Sequence, residues 1–205
     1  MATFVVTTLI DENNGTGQVS LREAIESANA QNGFDTVTFN SLLEGTISLV
    51  NGEIAITDSL DLLGPGAETL VIDAGGNSRI FLVDDASYSN LLDVNISGLT
   101  LTGGSAEFGG AIFNNESLAI ADSTLTGNSA GSQGGAIYNN SDGTGGATLS
   151  ITNSTISDNT SEDSGGGIGN GGSLVVTNSL ITGILRGLAA ASLMVMDFSL
   201  LVVSL

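Results

Sequence analysis

The sequence predicts an all-β fold: a right-handed parallel β-helix of about six coils, preceded by a short N-terminal capping α-helix. Three observations predict this fold: a repeat of 25 residues, apolar residues that alternate with small polar ones inside each repeat, and one amphipathic segment ahead of the repeats. They divide the chain into an N-terminal strand and capping helix (residues 1–35), the coils (36–184) and an apolar C-terminal tail (185–205).

The repeat is visible in two motifs. Gly-Gly-Ala-Ile begins at Gly109 and again at Gly134, 25 residues later. A second motif, Thr-Leu-Thr or a close variant, recurs in steps of 24, 31 and 25 residues, starting at Thr100, Thr124, Thr155 and Leu180. The long step contains six extra residues of turn-forming type, Ser141 to Gly146, and without them it also measures 25. A fixed period of this length is typical of a solenoid, in which each repeat forms one coil.

Alternation inside each repeat predicts strands rather than helices. Apolar side chains separated by one small polar residue face the same side of a strand. In two successive repeats they should stack into an inner apolar core; they are Leu118, Ile120 and Leu125, then Leu149, Ile151 and Ile156. Polar triplets interrupt the alternation, so we expect about three short strands in each coil.

The segment "SLREAIESANAQNG" is the predicted capping helix. Ser20 precedes Glu23 by three residues, which is the spacing of a capping box, and Gly33 marks the end. Its apolar residues fall on one face; they are Leu21, Ala24, Ile25 and Ala28. Because the first coil of a solenoid exposes an apolar end with unpaired strand edges, a helix at this place is expected to cover it.

Charge and composition exclude several classes of function. The 205 residues include 22 acidic and only 3 basic ones (Arg22, Arg79 and Arg186), for a net charge of −19, and there is no His or Cys. Nucleic acid and anionic membranes need a basic surface, so neither is an expected partner. Without cysteine there is no disulfide or thiol nucleophile. The N-terminal sequence lacks the pattern of a classical secretory signal peptide, so we expect any export to follow another route.

Several stretches resemble a known group of proteins. They are "SLREAIESAN", "DTVTF", "GTISL", "LLGPGAETLVIDAGGNSRIF" and "ISGLTLTGG", followed by the "GGAI" and "STLTGNSA" units. Residues 1 to 184 resemble bacterial secreted or surface β-helix proteins that carry a Cys-Ser-Leu-Arg-Glu-Ala cap motif and repeats of the polymorphic-outer-membrane-protein and adhesin kind. The resemblance implies a pectate-lyase-like solenoid at the cell surface or outside the cell. Val19 stands where the motif usually has Cys.

The tail departs from the repeat pattern. Ile184 replaces the Asn that the two preceding units have at this place, and the residues after it are mostly apolar. Three interpretations stay open: a cap over the last coil, a membrane anchor, or a truncated or altered end. A membrane contact is expected only through this tail, although Asp197 near its middle would cost about 2.5 to 3.5 kcal/mol on insertion scales.

No catalytic, cofactor-binding or metal-binding residue is predicted with this composition. The enzymatic alternative is a polysaccharide-active β-helix that uses carboxylates, and its candidates are Asp84, Asp85 and Asp122. No cofactor is expected. The alternative is a calcium ion bound by the carboxylate oxygens of Asp158, Glu162 and Asp163. Asn residues at repeated bend positions predict structural ladders instead, pairing Asn153 with Asn178 and Asn128 with Asn159.

The expected function is therefore non-enzymatic. The sequence favours an adhesin-like or passenger protein that presents a polar outer face to a glycan or a surface protein, through that face or through the loop Ser141 to Gly146. A minor alternative is an ice-binding solenoid. It depends on an outward array of Thr-x-Thr pairs, namely Thr100 and Thr102, Thr124 and Thr126, Thr155 and Ser157, and then Thr182.

Overall fold

A computed structural model describes residues 1–13, 15, 17–87, 91–140 and 146–182, together with the backbone of 193–195. One helix, α1 (Leu21–Asn29), is present in this part of the chain. The strands are β1 (Thr3–Val6), β2 (Asp35–Phe39), β3 (Gly45–Ser48), β4 (Ile54–Ile56), β5 (Leu60–Leu63), β6 (Leu70–Asp73), β7 (Phe81–Val83), β8 (Asp93–Ser97), β9 (Thr100–Thr102), β10 (Ser105–Phe108), β11 (Ile112–Asn114), β12 (Ser117–Ala121), β13 (Thr124–Thr126), β14 (Ser129–Gln133), β15 (Ile137–Asn139), β16 (Thr148–Thr152), β17 (Thr155–Ser157), β18 (Thr160–Ser161), β19 (Ile168–Asn170), β20 (Ser173–Thr177), β21 (Leu180–Ile181) and β22 (Leu193–Val195).

Among the described residues all strand pairs are parallel, and they form four sheets that run along the solenoid. The eight-stranded sheet has the order β1-β2-β5-β8-β12-β16-β20-β22, and the six-stranded sheet has the order β21-β17-β13-β9-β6-β3. The five-stranded sheet is β19-β15-β11-β7-β4, and the three-stranded sheet is β10-β14-β18. The parallel β-solenoid predicted from the repeats is confirmed.

The number of coils agrees with the prediction of about six. In the described residues the chain makes five complete coils, which begin at β2, β5, β8, β12 and β16, and a partial sixth made of β20 and β21. The predicted three strands per coil hold for the first two coils, whereas the next three contain a fourth strand, β10, β14 or β18. These extra strands contain mostly small residues such as Ala130 and Ser132, which give no clear apolar alternation in the sequence.

The core is a set of apolar columns, one residue per coil. The register of the six-stranded sheet places Leu101, Leu125 and Ile156 above one another, and each is completely buried. The eight-stranded sheet aligns Leu118 with Leu149 and Ile120 with Ile151, all at most 2% exposed. The predicted inward positions are therefore confirmed.

The N-terminal residues cover the open end of the first coil. β1 pairs with β2 in the eight-stranded sheet, Ile10 forms a parallel bridge with Ser48 of β3, and α1 packs against β1, β2 and β4. The apolar face of the helix is buried, as predicted; it consists of Leu21, Ala24, Ile25 and Ala28. The capping box is also confirmed, because the Glu23 N–H donates to Ser20 Oγ at 3.1 Å and the Ser20 N–H donates to Glu23 Oε2 at 3.0 Å.

Arg22 of this helix links the cap to the first coil. Its Nε donates to Asp11 Oδ1 at 2.8 Å, and its Nη2 donates to the Gly52 carbonyl at 2.7 Å. Asp11 Oδ2 accepts from the N–H groups of Val50 and Asn51 at 2.8 and 2.9 Å. Burial acts to raise the pKa of Asp11, but the hydrogen bonds from Arg22, Asn51 and Val50 outweigh it and lower that pKa. The ion pair between Arg22 and Asp11 therefore holds the helix in place against the first coil.

A column of left-handed residues makes the bend between the eight-stranded and six-stranded sheets. Asp122, Asn153 and Asn178 have φ values of 49°, 51° and 48°, and Gly98 takes the same place in the preceding coil with φ 65°. Asn, Asp and Gly tolerate this conformation better than other residues. The interrupting triplets of the sequence are therefore the corners of the coils.

Two predicted features lie mostly outside the described residues. The loop from Ser141 to Gly146 is one, since only its last residue is described. The tail is the other: within 185–205 the strand β22 pairs in parallel with β20 and so extends the eight-stranded sheet, and its neighbours are outside the description.

Candidate functional surface

The acidic pair Asp84 and Asp85 lies directly after β7, at the corner between the five-stranded and eight-stranded sheets. The structure brings a third carboxylate to it, Glu116, whose relevance the sequence did not indicate. Each of the three side chains offers one carboxylate oxygen, and these oxygens lie within 4.8 Å of one another. Among the described residues, no other three acidic side chains have this spacing. Such a cluster is the place where these residues could hold a cation.

Hydrogen bonds give the three carboxylates a structural role. Glu116 is completely buried, and its Oε1 and Oε2 accept from the N–H groups of Asp85 and Leu92 at 3.2 and 2.8 Å. Asp84 Oδ1 accepts from the Ala86 N–H at 2.8 Å, and Asp85 Oδ1 accepts from the Ser87 N–H at 2.6 Å. The side chains therefore stabilise the turn that follows β7.

Burial raises the pKa of Glu116, and the nearby charges of Asp85 and Asp84 raise it further, against the two backbone hydrogen bonds that lower it. A general acid also needs a raised pKa. However, Glu116 has no exposed surface through which a substrate could reach it. The raised pKa follows from its place in the corner rather than from access to a substrate.

The other acidic candidates are not brought to this cluster. Asp122 lies in the bend between β12 and β13, at a different corner of the coil, and its Oδ1 accepts from Asn153 Nδ2 at 3.3 Å. Of the three residues predicted as a calcium alternative, Asp163 accepts a hydrogen bond from Ser132 Oγ at 2.8 Å. Asp158, Glu162 and Asp163 do not form a group with metal-ligand spacing among the described residues.

One predicted asparagine ladder is confirmed by a side-chain hydrogen bond, and the structure contains a further ladder that was not predicted. Asn128 Nδ2 donates to Asn159 Oδ1 at 3.0 Å, as expected. For the pair Asn153 and Asn178, the register of β16 and β20 places the two bends next to each other. The additional ladder runs inside the five-stranded sheet: Asn114 donates to Asn139 at 2.8 Å, and Asn139 donates to Asn170 at 2.7 Å.

The threonine array has the predicted register. On the outer face of the six-stranded sheet, Thr100, Thr124 and Thr155 are aligned, and beside them Thr102, Thr126 and Ser157 are aligned. All six are partly exposed. The array covers three coils, since Val71 and Asp73 precede it and Leu180 follows it in register.

An aromatic surface on the five-stranded sheet was missed by the sequence analysis. Phe113 and Tyr138 are paired in register and point outward, with ring centroids 5.5 Å apart. Phe108 at the end of β10 adds a third ring, 5.1 Å from Tyr138. We call Phe108, Phe113 and Tyr138 the aromatic face. The signal was present in the sequence, because Phe113 and Tyr138 hold the same place in "GGAIFNN" and "GGAIYNN".

Polar groups border the aromatic face. The Arg79 guanidinium lies over one side of the Phe113 ring, 5.2 Å from its centre, and its Nη1 donates to Glu53 Oε2 at 2.7 Å. Burial lowers the pKa of Arg79, while the charge and hydrogen bond of Glu53 raise it. On the other side, Gln133 pairs with Phe108 in the three-stranded sheet. The result is a surface of three half-buried rings, tilted by 44° and 45° in the two contacting pairs, with an amide at its border and a neutralised cation over one ring.

The geometry defines this protein as a parallel β-solenoid with a helical N-terminal cap. Comparison with protein-family models, with curated proteins and with solved structures gave no match. Within the described part of the chain, no helix is both long enough and apolar enough to cross a membrane.

Proposed function

We propose that this chain is a non-enzymatic extracellular or cell-surface β-helix protein, adhesin-like or a passenger, that binds a partner through its outer face. The proposal depends on the structural role of the clustered carboxylates. Asp84, Asp85 and Glu116 accept backbone hydrogen bonds in a turn, and Glu116 is fully buried. A carboxylate-based glycosidase instead needs two accessible carboxyl groups, about 5 to 9.5 Å apart, on either side of a glycosidic bond.

The outer surface supports the same proposal. Outward side chains are fixed by parallel register, so each one has a set position relative to the next coil. A surface held in this way is suited to binding, because little conformational freedom is lost when a ligand is bound. The resemblance to surface β-helix proteins with the cap motif agrees with this interpretation.

The test is incubation of the purified chain with neutral and acidic polysaccharides, with and without calcium. The proposal predicts no release of reducing or unsaturated ends above a protein-free control. Reproducible release of such ends would refute it and favour the polysaccharide-active alternative. Labelling of intact cells that express the chain, with and without external protease, tests the proposed surface location.

Ice binding is a second candidate, and the confirmed register of the threonine array favours it. The side chains of Thr100, Thr124 and Thr155 repeat at the strand spacing of about 4.8 Å. The test is the growth of an ice crystal in the presence of the protein. Faceted crystals with the native chain and rounded ones with Thr124→Leu would support this function, and rounded crystals with both would exclude it.

A further inference from the structure

The aromatic face combines chemical features that the rest of the described surface does not bring together. The chain has only seven Phe and two Tyr residues, and three of these nine lie on one side of the solenoid within contact distance. The column to which Phe113 and Tyr138 belong begins with smaller residues, Ala55 and Leu82, and continues with Gly169. The two rings therefore extend further from the sheet than the smaller side chains before and after them in the column.

Two polar groups next to the rings have unused hydrogen-bonding capacity. Neither the Tyr138 hydroxyl nor the Gln133 side-chain amide makes a hydrogen bond within the described residues. Gln133 and Tyr138 are adjacent, because a side chain at Gly169 would meet Tyr138 Cδ2 at 2.9 Å and Gln133 Cβ at 3.1 Å. A hydroxyl and an amide together can both donate to a ligand and accept from it.

The electrostatics of the face select a neutral ligand. Arg79 is neutralised by Glu53, and its Nε and Nη2 donate to the Phe108 carbonyl at 3.2 and 3.0 Å, so its donors are directed into the protein. The net charge of −19 repels anions over the remaining surface. Aromatic rings carry partial negative charge on their faces, which complements the weakly positive C–H groups of a ligand.

We propose that the aromatic face binds a neutral polysaccharide. Pyranose rings present an apolar face of C–H groups and a rim of hydroxyls, and this arrangement complements rings bordered by hydrogen-bonding groups. Phe113 and Tyr138 stack against the C–H faces of the sugar, while the Tyr138 hydroxyl and the Gln133 amide bond to its hydroxyls. Because parallel register repeats along the solenoid, the sugar chain lies along the axis of the protein. This inference rests on the proposed non-enzymatic display function and names its partner.

Leucine variants provide the sharpest test, because Leu82 shows that this column accepts leucine. Phe113→Leu and Tyr138→Leu keep apolar volume and remove the ring. The matched control is Leu63→Ala, which shortens an exposed apolar side chain on the eight-stranded sheet. Circular dichroism and a denaturant melt establish that each variant is folded. Tyr138→Phe removes only the hydroxyl, and Gln133→Ala removes the amide together with its methylene.

The measurement is native gel electrophoresis of the full chain in gels that contain soluble glucan, mannan or xylan, or polygalacturonate as the acidic probe. We expect at least one neutral polysaccharide to retard the protein and polygalacturonate not to. Each leucine variant should weaken the affinity by about twofold to twelvefold, since one aromatic contact contributes about 0.5–1.5 kcal/mol. Leu63→Ala should bind like the native chain.

The outcomes separate this inference from the proposed function. Absence of retardation by every neutral polysaccharide overturns the inference, as does retardation that both leucine variants leave unchanged. Stronger retardation by polygalacturonate also overturns it. None of these results touches the non-enzymatic function, which fails only if incubation with the same polysaccharides releases new reducing or unsaturated ends.

Discussion

Replacing Asn139 by alanine should destabilise the protein far more than the same change at its neighbour Asn140. Asn139 is completely buried, and it lies in the middle of the inner asparagine ladder. Its contacts with Asn114, at 2.8 Å, and with the Ala147 carbonyl, at 3.3 Å, are both buried. Asn139→Ala removes the hydrogen bonds of this side chain to Asn114, Asn170 and the Ser173 carbonyl, at 2.8, 2.7 and 3.0 Å. At about 0.5–1.5 kcal/mol for each of the three, the expected loss is about 1.5–4.5 kcal/mol.

The matched control is Asn140→Ala, because successive residues face opposite sides of the chain and Asn140 therefore lies on the outer side. Asn140 is half-buried, and its Nδ2 donates to Asn115 Oδ1 at 2.7 Å. Losing this one contact should cost about 0.5–1.5 kcal/mol. The assay is urea unfolding followed by circular dichroism, with an unchanged slope confirming that both variants unfold from the same native state. Equal losses in the two variants would refute the inner ladder as a source of stability.

Three further predictions concern the core and the buried charges. Ile156→Ala should lower the free energy of unfolding by about 2–5 kcal/mol because Ile156 is fully buried, whereas Thr155→Ala, on the outer face, should lower it much less; similar midpoints in urea would mean that the faces are reversed. Asp11 has a lowered pKa in the folded state, so its contribution to the free energy of unfolding is present above the unfolded pKa and is lost as pH falls through the folded pKa. Asp11→Asn should therefore flatten the acid side of a stability–pH curve, and an unchanged acid side would contradict the ion pair with Arg22. Glu116 has a raised pKa, so its contribution to stability is present below the unfolded pKa and is lost as pH rises through the folded pKa; relative to Glu116→Gln the native chain should lose stability as pH rises above the unfolded Glu pKa of about 4.3, and a constant difference would contradict burial of the carboxylate.

Much of the fold could be predicted from the sequence because a solenoid repeats its local rules. The inward place of Leu125 and Ile156 follows from alternation, and their stacking follows from the repeat step. The capping helix was predictable for the same reason, since Ser20 and Glu23 act within one turn. Local signals decide these features, and each coil repeats them.

The missed features depend on contacts between coils. Asn114 and Asn139 occupy inward positions where the alternation rule expects apolar residues, and only their pairing makes burial favourable. Glu116 is buried because the N–H groups of Asp85 and Leu92 reach its carboxylate. The aromatic face needed both the register of the five-stranded sheet and the fourth strand that positions Phe108. Small residues hide that strand in the sequence.

We propose that the outer face of the solenoid binds a neutral polysaccharide and does not cleave it. The most direct measurement incubates the chain with an insoluble neutral polysaccharide and follows two quantities in the same tube: the protein that sediments with the solid, and the reducing ends released into solution. The predicted result is sedimentation of the native chain, with reducing ends at the level of the protein-free control. A native chain that stays in solution, or reducing ends that rise in proportion to the protein concentration, would contradict this proposal.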